Sequence, residues 1–350
     1  MSLTQLRAHA IGATFFPPTT LAKAIDRLGF VQADPIRSPA RAQDLILRHR
    51  VRNYSAGDLE RKFETLDVEE DYLYAYGFMS RSVWEDLHPR AAKKVTKAER
   101  RVLDIVTEHQ KIHPRELEAY LGRERQLNAW GGYSKATTRI LHSLQHRGLL
   151  RVAGRENGIR LYAPRGPLHA PADPDQRIRR LALLIASILA PISISSLRSA
   201  LQLFGRASPS LPGRLSIVTS LLTNGDLQSS VVDDIHYVWP TGQVIRRQSS
   251  DVVRFLAPFD PLVWDRRRFE HLWGWPYRFE AYTPPAKRKL GYYAMPLLWR
   301  DAIIGWVNIS NVAGNFRVEP GYIKAVPDDT KFQSALDAEV HRFQQFLQVP

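Results

Sequence analysis

The chain has 350 residues, 44% of them hydrophobic, enough to bury sizeable cores and, at roughly 100–200 residues per domain, to form two to four units rather than one. Forty-nine Lys and Arg against 35 Asp and Glu give a formal charge of +14, which favours a polyanionic partner without choosing among DNA, RNA and an anionic membrane. The absence of cysteine excludes disulfides, thiolate metal sites and cysteine nucleophiles.

A reducing compartment suits such a chain. The polar start Met1-Ser2-Leu3-Thr4 is unlike a signal peptide, and the most apolar stretch, Leu181 to Ile194, is too short to span a bilayer. The expectation is a soluble cytoplasmic protein with no membrane partner.

In chain order, Thr20 to Leu28 reads as a helix stopped by Gly29, followed by an extended Phe30-Val31-Gln32-Ala33-Asp34 that Pro35 ends. Ala40 to Arg48 and Asp58 to Phe63 read as helices, and the run Tyr72, Tyr74, Tyr76, Phe78 reads as core. From Glu99 to Pro164 the pattern is clearer. A helix through Val102 and Val106, a short one through Leu117 and Leu121, a turn rich in Gly and Tyr, and a third helix from Ser134 to Arg147 stop at Gly148. Strands at Leu149 to Ala153 and Ile159 to Tyr162 flank an Asn157-Gly158 turn. Three helices and a hairpin make a winged helix, a helix-turn-helix class whose last helix can enter the major groove of DNA.

The pattern then recurs. Ser143, Leu144, Gly148 and Leu150 correspond to Ser220, Leu221, Gly225 and Leu227, and Ile159, Leu161 and Pro164 to Ile235, Tyr237 and Pro240, the offset slipping by one residue within the wing. A Pro-rich linker, Pro164 to Pro174, separates the copies. Beyond Ser250 the apolar segments Tyr277 to Tyr282, Gly291 to Leu298 and Ala302 to Ile309 predict a β-rich unit, closed by a helix from Lys331 to Leu347. The expected class is α+β: a winged-helix-like unit over 1–95, winged helices over 96–168 and 172–248, and a C-terminal unit over 251–350.

Residues two apart on a strand share a face, so Gln32 and Asp34 are predicted to project together. A carboxylate can stabilise charge developing on a deoxyribose and accept a proton from water, while an amide orients that water. If the departing base is alkylated at a ring nitrogen such as N7, it is already cationic and needs no general acid. The bland alternative is a strand end where Asp34 caps the turn at Pro35.

The segment Ala257-Pro258-Phe259-Asp260-Pro261-Leu262-Val263-Trp264-Asp265-Arg266, with Lys287-Arg288 and Gly291-Tyr292-Tyr293-Ala294-Met295-Pro296, is far more distinctive. With Gln32-Ala33-Asp34, it resembles the YcaQ-like and AlkZ-like winged-helix DNA glycosylases, over nearly the whole chain. The resemblance implies tandem winged helices, a C-terminal β-barrel-like domain, and Gln32 and Asp34 as the catalytic pair of the Gln-x-Asp branch. It also implies, as substrate, double-stranded DNA carrying alkylated or crosslinked bases. The chain departs from the family pattern at Ala33, at Gly305-Trp306-Val307-Asn308 where Gly-Arg-x-Asp is expected, and at Tyr74-Ala75-Tyr76 where a Trp-Ala-His run is expected, which would leave that histidine's role to Tyr76.

For DNA contact, Lys135, Arg139, Arg147 and Arg155 fall on the predicted recognition helix and wing, and Arg266, Arg267, Arg268, Lys287 and Arg288 could pair with phosphates. A solvated face, or an internal salt-bridge network around Asp260 and Asp265, is the alternative. His109 and His113 have the spacing of two metal ligands but no completing carboxylate, and exposed histidines are the expectation. No phosphate-binding Gly-rich loop, serine nucleophile elbow or acid cluster for two metals is present. The reading is a monomeric, cofactor-free and metal-free glycosylase, monofunctional because no lysine near the motif stands out as a Schiff-base nucleophile. The competing reading is a non-catalytic DNA-binding regulator.

Overall fold

The computed structural model describes residues 1–90, 94–121, 125–127, 133–166, 172–208, 211, 215–244, 251–312 and 315–348, with backbone alone at 125–127, 133–135, 206–207 and 312. Helix α1 (Leu3–Thr14) opens with a capping box between Ser2 and Gln5. Its apolar face packs on the far end of the chain, where Leu6, Ala10, Ile11 and Phe15 share a core with Tyr237, Leu262, Phe269 and Tyr277.

Helix α2 (Leu21–Leu28) ends at Gly29, whose φ of 70° turns the chain straight into strand β1 (Phe30–Gln32). A side chain at Gly29 would collide with Leu184. Helices α3 (Ala42–Leu47) and α4 (Asp58–Lys62) lead to β2 (Val68–Tyr72), β3 (Tyr76–Ser80) and α5 (Arg81–Leu87). The strands form an antiparallel sheet in the order β1-β3-β2, with Phe30 opposite Met79 and Gln32 opposite Gly77. Gly77 lacks a side chain where one would strike the Val31 carbonyl.

Strand β2 buries three consecutive acids, Glu69, Glu70 and Asp71. Such groups are tolerated only when paired, and the alternation of the strand pairs them on two faces. Glu69 meets Arg165, and Asp71 meets His88 and Arg90. Glu70, on the other face, holds Arg155 and Arg160.

Helices α6 (Lys97–His109), α7 (Pro114–Leu121) and α8 (Ala136–His146) precede a hairpin of β6 (Leu150–Glu156) and β7 (Ile159–Pro164). Where a turn was expected between α7 and α8, a short ribbon pairs β4 (Arg125–Leu127) with β5 (Tyr133–Lys135). The second set comprises α9 (Pro174–Ile188), β8 (Ile192–Ser193), α10 (Ile194–Ala207), α11 (Ser216–Thr223), β9 (Leu227–Val232) and β10 (Ile235–Pro240).

The two sets match in detail. Gly148 and Gly225, with φ of 74° and 73°, follow α8 and α11, and Leu150 pairs with Pro164 as Leu227 does with Pro240. Both hairpins turn on two residues of positive φ, Asn157-Gly158 and Asp233-Asp234. The one-residue slip is therefore not in the turn. It is a bulge in β6, where Val152 and Gly154 take successive partners and Ala153 is extra.

The C-terminal part holds β11 (Val253–Phe255), α12 (Pro261–Trp264), α13 (Arg266–Trp273), β12 (Met295–Trp299), β13 (Ala302–Val312), β14 (Asn315–Tyr322) and α14 (Thr330–Leu347). The sheet is a meander in the order β11-β12-β13-β14, curled into a half-barrel whose first and last strands do not pair with each other. Helix α14 packs Phe332, Phe343 and Phe346 against it. One expectation fails in this region: Tyr277 to Tyr282 is not a strand, because Pro276, Pro284 and Pro285 break any ladder there. Arg266 to Arg268 stand on a helix.

The mixed α+β fold is bound across the expected boundaries. Arg50 and Asp260, both 0% exposed, form a two-pronged ion pair at 2.8 and 3.1 Å. Arg50 also donates to the carbonyls of Thr14 and Ile46, and Asp260 accepts the Leu262 N–H that starts α12. Removing one partner from such a buried pair strands the other charge. Asp260→Ala is expected to lower the free energy of urea unfolding by about 3–5 kcal/mol, and Arg50→Met with Asp260→Leu to cost far less. A single substitution costing under about 1 kcal/mol would refute this role of the pair.

Candidate active site

The strand that carries Gln32 ends there. Ala33 still donates to the Tyr76 carbonyl at 2.9 Å, after which Asp34 turns the chain by accepting the Ile36 N–H at 2.8 Å. Strand periodicity therefore places Gln32, and an Asx turn places Asp34. The turn-capping reading of Asp34 holds, but it occupies only one carboxylate oxygen.

Asp34 is half-buried, and burial raises its pKa above the ordinary carboxylate value, against the lowering effect of the Ile36 N–H. Gln32 Oε1 is buried with no hydrogen-bond partner among the described residues. The charge of Asp34 reaches two phenols from the C-terminal part. Burial first, and then Asp34, raises Tyr282 and lifts Tyr293 well above the usual tyrosine value. The Tyr293 hydroxyl is likewise buried and unpartnered among the described residues.

These tyrosines flank a loop that Glu280 closes. Its Oε2 accepts the N–H groups of Lys289 and Leu290, both at 2.8 Å, and of Gly291 at 3.3 Å. From below, Asn308 donates to the Leu290 carbonyl at 2.8 Å and fills the space a side chain at Gly291 would need. The Asn308 departure from the family pattern thus has a structural use. Tyr282 is 78% exposed, and Lys287 and Lys289 are exposed on the same loop, as is Arg37 three residues beyond Asp34. Arg288 is half-buried, donates to the Thr283 carbonyl and lies 5.0 Å from the Tyr292 ring.

The other basic candidates divide. Arg268 is buried and donates to the carbonyls of Leu189, Ala190, Pro261 and Leu262, so it holds α13 on the second helical set instead of facing DNA. Arg266 donates to Pro258 and Val263 carbonyls and packs 4.7 Å over Tyr277. Arg155 is ion-paired to Glu70 and Glu60. Arg147 pairs with Glu99, whose carboxyl the Thr96 N–H, Ser143 and Arg147 hold down to about 2. Arg139 and Arg267 are exposed, and the side chain of Lys135 lies outside the described residues.

Tyr76 cannot take over a role beside Gln32. The register puts it opposite Ala33, on the face of Val31 and Phe78. There, with Tyr72, His142, His146 and Arg160, it lines a cavity of about 450 Å³. Tyr74 and Phe78 are core residues, as expected, and Tyr74 packs on Phe30 and Trp264.

Contrary to expectation, His113 is buried. Its Nδ1 accepts the Arg115 N–H at the start of α7, while His109 packs on Tyr120. Among the described residues, no group of three or more His, Asp or Glu could hold a metal ion, and no helix is long and apolar enough to cross a membrane.

Residues 25–346 match the family model described as DNA glycosylase AlkZ-like. The chain belongs to the AlkZ-like DNA glycosylase family. The solved structure of Streptomyces sahachiroi DNA glycosylase AlkZ is similar to it in fold, with a TM-score of 0.63 over 100% of this chain and 97% of that one, at 14% sequence identity. Membership of the AlkZ-like family makes the chain a DNA glycosylase, and DNA its substrate.

The raised pKa of Asp34 has a consequence for stability. The folded state favours the protonated carboxyl, so the ionised form opposes folding once pH rises past the ordinary Asp value. Asp34→Asn keeps an oxygen for the Ile36 N–H and removes that cost. Thermal melts at neutral pH should find Asp34→Asn at least as stable as wild type, with the difference vanishing below about pH 3; a large loss of stability would make Asp34 a structural residue.

Proposed function

We propose that this chain hydrolyses the N-glycosidic bond of N7-alkylated purines in double-stranded DNA, as a monomer and without a cofactor. The observation that carries the reading is the half-buried carboxyl of Asp34, at the end of β1 and beside the Tyr282 loop. Gln32 Oε1 offers an acceptor to a water molecule, and Asp34 takes the proton as the water oxygen bonds to C1′. The C1′–N9 electron pair leaves with the purine, and the cationic base departs neutral. The negative charge of Asp34 stabilises the oxocarbenium-like sugar on the way.

Nothing in this scheme requires a lysine, which makes the reaction monofunctional. The exposure of Tyr282 supports a site open enough for bulky adducts, and hence the unhooking of interstrand crosslinks. The repeated sets of three helices and a two-residue-turn hairpin are read as tandem winged helices. With Arg147, Arg155, Arg266 and Arg268 engaged inside the protein, DNA contact is assigned to the exposed Arg37, Arg139, Arg267, Lys287 and Lys289, together with Arg288 and Tyr282.

The test is base release from a duplex containing N7-methylguanine. Wild type should leave abasic sites, Asp34→Asn should slow release by about 10²–10⁴-fold and Gln32→Ala by about 10²-fold. Undiminished release by Asp34→Asn would defeat the mechanism, and absence of release by wild type would defeat the substrate assignment. Because Asp34 must be ionised and its pKa is raised, kcat/KM should fall as pH drops through a midpoint above the ordinary Asp value of about 4. Borohydride should trap no protein–DNA adduct, and a stable adduct would contradict the monofunctional reaction.

A further inference from the structure

A cavity of about 680 Å³ lies where residues 48–55, the start of β11 and α14 converge. None of its lining residues belongs to β1 or to the Tyr282 loop. Four guanidinium groups line it, from Arg48, Arg52, Arg254 and Arg342, against one carboxylate, Glu339. That carboxylate is already engaged by Arg48, Arg342 and the Phe255 N–H. His49, also in the lining, is pushed far below its usual pKa by burial and by Arg48, and its Nε2 meets the Phe255 carbonyl at 2.9 Å.

Like charges gathered in a half-buried space repel one another unless an anion joins them. Burial brings Arg254 down to about 10 against the pull of Glu339, with Arg50 adding to the repulsion. The Arg48 side chain is only 4% exposed, and its Nε has no hydrogen-bond partner among the described residues. Guanidinium forks match the oxygens of phosphate in both charge and geometry. The volume falls within the roughly 300–1,000 Å³ of small-molecule sites, larger than a bare phosphate needs.

We propose that this cavity is a second binding site, for a phosphate-bearing ligand of nucleotide size. Its walls come from both ends of the chain, so the ligand would bridge the same seam that Arg50 and Asp260 close. The phosphate can belong to a free nucleotide or to the DNA backbone, and the recognition chemistry is the same.

Calorimetric titration of the full chain with inorganic pyrophosphate and with adenosine 5′-monophosphate tests the proposal. Saturable binding is expected for at least one of them, accompanied by a rise in Tm. Arg52→Glu, at an exposed position of the lining, should weaken it by about tenfold or more. No saturable binding of either, or affinities unchanged in both Arg52→Glu and Arg342→Ala, would overturn the proposal. With the site established, displacement of the small phosphate by undamaged duplex DNA identifies the backbone as its source. Simultaneous binding of both identifies a free nucleotide.

Discussion

The N- and C-terminal parts of the chain are pinned to each other by a fully buried ion pair, Arg50 with Asp260. Neither group touches solvent, and every prong of the guanidinium has an acceptor from a different part of the N-terminal region or from Asp260 itself. A hydrophobic contact could fill the same volume, but it would not fix register or orientation. The pair does both, setting α12 by its capping bond and with it Trp264, which packs on Tyr74 behind β1. The candidate site is composite for this reason: Gln32 and Asp34 come from the first tenth of the chain, and Tyr282 and Tyr293 from its last quarter.

The same economy of buried charge explains what happens to the basic excess. A charge of +14 points to a polyanion, yet many of the arginines hold the protein together. Glu70 draws Arg155 and Arg160 of the first hairpin onto β2, Glu69 takes Arg165, and Arg268 satisfies four carbonyl groups. Buried acids in β2 need cations, and the hairpin that could have reached toward a ligand is anchored to the N-terminal sheet. Among the cations that stay exposed are Lys287 and Lys289 of the Glu280-closed loop, Arg37, Arg139 and Arg267.

What could be read beforehand follows from the range of the interactions involved. Helix stops at Gly29, Gly148 and Gly225, the Asn157-Gly158 turn and the recurrence of Leu150 and Pro164 at Leu227 and Pro240 are local, so they are visible in sequence. The extra residue of β6 is not, since a bulge depends on which partner strand residue is faced. Periodicity placed Gln32 on a strand but carried that strand two residues too far, because the Asx turn at Asp34 competes with the ladder. Glu280 and the exposed Tyr282 left no signal, and Asn308 showed only as a departure from the family pattern, as each acts through partners 9 to nearly 250 positions away. Sequence likewise left Arg266 and Arg268 open between phosphate contact and an internal network, and only the packing of α13 reveals their carbonyl acceptors.

The role proposed for Asp34 joins a carboxyl pushed toward protonation by burial to the hydrolysis itself. It is tested most directly by titrating that carboxyl itself, through the ¹³C signal of labelled aspartate assigned with Asp34→Asn, and comparing its midpoint with the acid limb of base release. One shared midpoint, above the ordinary aspartate value, is expected. A midpoint at or below that value, or a kinetic limb that does not coincide with it, would contradict that role.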